Sequence, residues 1–213
     1  MVFQKFYTLI LAVPAIAGLA LAGDAPDAAP KAPISSTPTA AEYQPMTRSE
    51  RFRQYVSHLA DAESIVRAAA SAGIRQAENS PKEWQQGGEG YGYRVGDAFA
   101  EHVLRRTLQY GASVALHEDN RYFLSGQEGF GRRLRYAVKS TFMARKDNGD
   151  QRISFSRIGG DAGAAFISRI WQPRSTTSAG DGAVSFGFAF ASDVGFNVFR
   201  EFWPDLKRHF HKN

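Results

Sequence analysis

From residue 47 to residue 208 the apolar side chains return every three or four positions in four long runs, and this period most constrains what the chain can fold into. A repeat near 3.6 gathers those side chains on one side of a helix, whereas a strand needs strict alternation. The runs are separated by proline- and glycine-rich breaks. The expected fold is therefore all-α: a compact bundle of about four to five helices rich in glycine and alanine.

The first run starts at Thr47 or Ser49, with Glu50 placed as a capping partner, and covers residues 51–79. Phe52, Tyr55, Val56, Leu59, Ile65 and Val66 carry its repeat, and Asn79-Ser80-Pro81 ends it. Gly87, Gly88, Gly90 and Gly92 read as a turn. A second helix then spans residues 93–117, with Ala100, Leu104 and Leu108 toward the core. Glu101, His102, Arg105, Arg106 and Gln109 fall on its opposite side, as in a surface helix of a bundle.

The third region opens with a strongly basic helix over residues 130–146, closed by the turn Asp147-Asn148-Gly149-Asp150. Residues 152–156 alternate like a short strand, so a hairpin is an alternative here. A helix over 157–171 follows, with Ser156 as its N-cap and Pro173 as its stop. The fourth helix covers residues 183–202 and ends at Trp203-Pro204. Phenylalanines at 186, 188, 190, 196, 199 and 202 surround it almost completely, which suits a central helix or one that touches lipid. Residues 184–191 also alternate, so a strand stays open as the second reading.

The first 22 residues have a different character. Lys5 is followed by an apolar stretch to Leu19, and Ala20-Leu21-Ala22 gives the small-x-small pattern of a cleaved signal peptide. Residues 23–46 hold five prolines among Ala, Ser and Thr, a composition that cannot bury enough apolar surface to order itself. The expected organisation is a leader (1–22), a tether (23–46), a helical domain (47–208) and a tail (209–213). Such a leader predicts export to the periplasm or the outer membrane. The net charge is +5, and removing Lys5 with the leader leaves +4. That mild excess suits an anionic membrane surface or a polyanion and selects neither; because an exported protein rarely meets nucleic acid, lipid headgroups are the expected partner and nucleic acid is not. The absence of cysteine excludes disulfides, thiolate metal sites and cysteine nucleophiles.

Small residues recur at four-residue spacing as Gly88/Gly92/Gly96/Ala100, Gly159/Gly163 and Gly187/Ala191/Gly195. On helices these series predict close backbone crossings, within the domain, between copies of the chain or in a membrane.

Three polar constellations stand out. His117, Glu118 and Asp119 pair an imidazole with carboxylates, the residue types of acid–base catalysis. No HExxH or comparable spacing supplies a metal site, so neither a metal nor a cofactor is expected. The competing reading is a helix C-cap and turn. Asp193, Asn197 and Glu201 form a polar stripe on the aromatic fourth helix, with Asp161 in a similar setting on the preceding one, as an ion site or as salt bridges that lock the bundle. Arg132, Arg133, Arg135 and Lys139 form a basic segment with interleaved aromatics, suited to anionic headgroups.

The strings Asn79-Ser80-Pro81-Lys82-Glu83-Trp84, Gly88-Glu89-Gly90-Tyr91-Gly92, Leu116-His117-Glu118-Asp119-Asn120-Arg121-Tyr122 and Phe196-Asn197-Val198-Phe199-Arg200-Glu201-Phe202-Trp203-Pro204-Asp205 resemble segments of a family of uncharacterised exported bacterial proteins. The resemblance spans roughly residues 75 to 208 and implies one domain and an envelope location. It implies no activity. The leading expectation is thus a non-enzymatic envelope protein, a helical packing or membrane-association module. The alternatives are a hydrolase using His117 with Glu118 or Asp119, and a small outer-membrane β-barrel.

Overall fold

A computed structural model describes residues 43–210, so the predicted leader and most of the tether lie outside the described residues. The described residues form six α-helices: α1 (Arg48–Ser57), α2 (Ala62–Ala77), α3 (Gly88–Leu116), α4 (Phe130–Thr141), α5 (Phe155–Ile167) and α6 (Ala179–Phe210). Strands β1 (Glu118–Asp119), β2 (Met143–Lys146) and β3 (Gln151–Ile153) form an antiparallel sheet in that order. The fold is mainly helical, as the period predicts, with this small sheet added. Strands of two to four residues do not close a barrel.

α1 begins at Thr47, whose hydroxyl accepts from the Glu50 amide while Glu50 reaches back to the Thr47 amide. The single first helix of the sequence reading is two. Asp61 caps α2, accepting from the Ser64 amide at 2.8 Å, and it also holds His58 Nδ1 at 2.6 Å, so the chain turns between them.

α3 starts at Gly88, and the glycines read as a turn are its first turns. Buried Arg94 explains this start. Its guanidinium donates to the carbonyls of Ser80 (2.8 Å), Pro81 (3.0 Å) and Gln85 (2.8 Å), pulling the preceding loop onto the helix. A Cβ on Gly90 would stand 2.4 Å from the Trp84 carbonyl, so only glycine permits that approach.

The basic helix stops at Thr141 rather than at 146. Residues Met143–Lys146 pair instead with β1 (Glu118↔Lys146) and with β3 across the turn at 147–150, as in the hairpin alternative. Ser154, not Ser156, caps α5 through a bond from the Arg157 amide.

Residues 184–191 are helical, and α6 runs through Pro204. An internal proline costs a helix about 3 kcal/mol. Arg133 of α4 holds that turn together, donating to the Glu201 carboxylate (3.1 Å), to the Glu201 carbonyl and to Asp205.

α3 is central, packed between α5 and α2, while α6 packs on α4 and α5. Two modest clusters make the apolar core. Ala100, Leu104, Leu108, Ala164 and Trp171 form one, and Tyr55 stacked on Tyr110 at 4.7 Å with Phe52, Leu59 and Val114 forms the other.

Candidate functional site

The distribution of polarity between the interior and the exterior organises everything else in this fold. The largest fully buried side chains are all polar, among them Arg94, Glu118, Glu201, Asp97, Asp119 and Asp161. The outward stripe of α6 is mainly apolar, running Val184, Phe188, Ala191, Gly195, Phe199, Trp203, Leu206 and Phe210, with Lys207, Arg208 and His209 exposed at its C-terminal end. On α2 the outward residues include Ile65, Val66 and Ile74, while Arg67 and Arg75 turn inward. The sequence reading of Val56, Ile65 and Val66 as core residues is therefore corrected: all three are exposed. Glu101, His102 and Gln109, read as a solvent face, are buried.

Two charge networks fill the interior. In the first, fully buried Asp97 accepts from Arg75 (2.5 Å), Trp171 Nε1 (2.7 Å) and Gln172 (2.9 Å). Arg75, Arg105 and Arg169 converge on Glu101 at 3.8, 4.0 and 3.8 Å, and Arg105 Nε continues to Asp161 at 3.4 Å. In the second, Arg67 bridges Glu63 (2.8 Å) and Asp193 (2.6 Å), and Arg200 also reaches Glu63. Arg106 pairs with no carboxylate, bonding Gln109 at 3.3 Å, while its Nε, the Arg105 Nε and the Asp161 Oδ2 are buried without hydrogen-bond partners. Burial, with a contribution from Asp193, pushes the Asp161 carboxyl up to about 7.

The first network opens to the surface in a cleft of about 180 Å³ between α2, α3 and α6. Arg67, Arg75, Arg105, Glu78, Glu101 and His102 form its charged and polar wall, with Ile74, Val184 and Phe188 at the apolar side. Burial, reinforced by the Arg106 charge, lowers the His102 pKa to about 4, so the ring is neutral at physiological pH. Its Nε2 lies 3.0 Å from the His58 carbonyl, which can only accept. The proton is therefore on Nε2, and Nδ1 carries the lone pair.

The predicted residues scatter. His117 ends α3 in the left-handed conformation (φ 53°), exposed and bonded through Nδ1 to Asp147 at 2.8 Å. That is the C-cap and turn reading. Glu118 points the other way, into the interior. Its carboxylate accepts from the Ser156 amide (2.8 Å) and hydroxyl (2.7 Å) at the start of α5, where the helix dipole favours a negative charge. Asp119 is clamped by Arg121 at 2.7 and 3.0 Å. The three residues of the hydrolase reading thus form no shared open site.

Asp193, Asn197 and Glu201 line the inner face of α6, and each has an assigned partner. Asp193 pairs with Arg67, Asn197 donates to Thr141 (2.9 Å), and Glu201 accepts from Tyr122 (2.7 Å), Ser125 and Arg133. This is the salt-bridge reading of the stripe. On α4, Arg133 turns inward to this cluster, whereas Arg132, Arg135 and Lys139 face out beside Phe130, Val138 and Phe142.

Within the described domain, most glycines of the small-residue series make no close crossing: a Cβ on Gly88, Gly92, Gly96, Gly159, Gly187 or Gly195 would meet nothing within 4 Å. Gly163 of the Gly159/Gly163 pair does, with Leu108 of α3 2.8 Å from its Cβ position, and Gly160, outside the series, comes closer still, against Gln109. No group of three or more His, Asp or Glu with metal-holding geometry occurs among the described residues.

Sequence reasoning missed Arg67, Arg75 and the cleft. The one available signal was that α2 carries arginines at positions 67 and 75, eight residues apart and so about 80° from each other, on the same broad side of the helix. Comparison with family models, with curated proteins and with solved structures gave no match to this chain.

Proposed function

We propose that this chain is an exported cell-envelope protein that works without enzymatic chemistry, as a helical module resting on a membrane surface. The supporting observation is the inverted polarity: ion pairs and hydroxyls inside, exposed Ile, Val, Phe and Trp outside. In water, that arrangement spends desolvation on buried charges and leaves apolar area wet. Against hydrocarbon both terms reverse, because apolar side chains face the lipid and polar ones are satisfied internally.

α6 is the principal contact element. It is long and apolar enough to cross a membrane by length and composition. Its inner stripe, however, is bonded into the domain through Asp193, Asn197 and Glu201. We therefore read it as lying along the surface with its outer stripe in the headgroup–acyl boundary. Arg132, Arg135 and Lys139 on the outer face of α4 supply attraction to anionic lipid, about 1 kcal/mol for each basic residue near the surface. Export rests on the residue pattern of the leader and on the family resemblance.

Fractionation of cells expressing the chain tests the reading. The protein is expected in the membrane fraction, with substantial retention after a carbonate wash, and Phe199→Glu/Trp203→Glu is expected to release it. A wild-type protein found wholly in the soluble fraction sinks the proposal.

A further inference from the structure

We propose that the cleft between α2, α3 and α6 binds the anionic head of an amphiphile, a phosphate or carboxylate, with the attached chain lying outward along Ile74, Val184 and Phe188. The geometry of Glu101 carries the argument. Three guanidiniums approach this one carboxylate, yet all stand at 3.8–4.0 Å, beyond hydrogen-bond distance. A carboxylate this well supplied with cations ordinarily draws them to about 2.8 Å. Arg169 spends its donors on Ala165, Thr176, Ser168 and Ser185, whereas Arg75 and Arg105, which both line the open space, keep donors for a second anion.

The charge count favours such an anion. The network that meets the cleft balances Arg75, Arg105 and Arg169 against Asp97, Glu101 and Asp161 only when all three carboxyls are ionised. Burial raises the Asp161 carboxyl to about 7, which weakens the negative side of that balance, and Arg105 Nε and Asp161 Oδ2 are buried without hydrogen-bond partners. An excess of buried positive charge is costly until an anion compensates it.

Size and placement narrow the ligand. Whole drug-sized ligands occupy roughly 300–1,000 Å³, and 180 Å³ holds a head but not a molecule. The mouth opens beside Val184 and Phe188, members of the apolar outer stripe of α6. A tail leaving the cleft therefore runs over apolar side chains. The proposal gains its physiological setting from the membrane reading above, but the cleft can be tested apart from it.

Dodecyl phosphate is the probe, titrated calorimetrically into the purified full chain in a nonionic maltoside detergent, with inorganic phosphate as the comparison. The expected result is saturable one-to-one binding of dodecyl phosphate, at least tenfold tighter than inorganic phosphate. Ser71→Asp, which places a carboxylate among the cleft arginines, should weaken it at least tenfold. Phe188→Ala, at an exposed position that does not hold the fold together, should weaken it severalfold with an unchanged unfolding midpoint. Absence of saturable binding to the wild type overturns the proposal, as does wild-type affinity in Phe188→Ala or in a folded Ser71→Asp. Equal affinity for inorganic phosphate overturns the amphiphile assignment and leaves a free-anion site. Sedimentation with phosphatidylglycerol vesicles is scored separately. Vesicle binding without cleft binding refutes this inference alone, and cleft binding without vesicle binding refutes only the membrane reading.

Discussion

Two adjacent glycines in α5 should respond to the same substitution with opposite signs. A Cβ on Gly159 meets nothing within 4 Å, so Gly159→Ala adds only helix propensity, a gain of about 0.8–1 kcal/mol. A Cβ on Gly160 would stand 2.4 Å from Gln109 Cγ, 3.0 Å from its backbone nitrogen and 3.2 Å from its Cα. The side-chain contact does not yield freely, because Gln109 is tied by its amide to Asp161 at 3.0 Å. The backbone contacts yield only if α5 lifts off α3, the most extensive helix pair in the molecule. Overpacking of this kind costs about 1–3 kcal/mol, more than propensity returns. Gly160→Ala should therefore be net destabilising by up to about 2 kcal/mol, and the two variants should differ by the overpacking cost, about 1–3 kcal/mol. At about 2–4 °C per kcal/mol for a chain of this size, thermal melts followed by circular dichroism should separate them by about 2–12 °C. If both variants move the midpoint in the same direction, the α3–α5 crossing is not built on Gly160.

Further predictions follow the buried charges. Asp161 holds its proton to about pH 7 in the folded state, so the folded protein binds the extra proton between the ordinary carboxylate range and pH 7. Stability from this group is therefore greatest at low pH and falls as pH rises through that window, by at most about 1.4 kcal/mol per pH unit. Asp161→Asn abolishes that loss, and its midpoint relative to wild type should rise between pH 5 and pH 8; a flat difference refutes the assignment. His102 acts in the opposite sense, its lowered pKa adding stability as pH rises from about 4 to 6.5, but it is common to both proteins and cancels in the comparison. Glu201→Ala strands Tyr122, Ser125 and Arg133 and should cost about 3–5 kcal/mol, read as a lower urea midpoint. His117→Gly relaxes a left-handed residue whose side-chain bond to Asp147 is exposed, so stability should hold or rise by up to about 1 kcal/mol, whereas a β-branched residue there should lower it.

Local signals in the chain by themselves determined the helical class, the Thr47–Glu50 cap, the break at Asn79-Ser80-Pro81 and the turn at 147–150. These depend on a few neighbouring residues, and neighbours are what a sequence displays. The polar stripe of Asp193, Asn197 and Glu201 and the inward basic residue Arg133 also lie on helix faces that spacing brings out. Only tertiary structure decided which way those faces point. Amphipathicity separates the two sides of a helix without saying which side is buried, and the usual assumption of apolar inside fails for α2 and for the outer stripe of α6. It also decided where helices end, because β1 captures residues Met143–Lys146 for the sheet and Arg133 carries α6 past Pro204. The cleft lay furthest from view: Arg67, Arg75, Glu101 and Arg105 come from two helices that meet only in the folded chain, and several of the charges that compensate them, Asp161, Arg169 and Asp193, lie on other elements again.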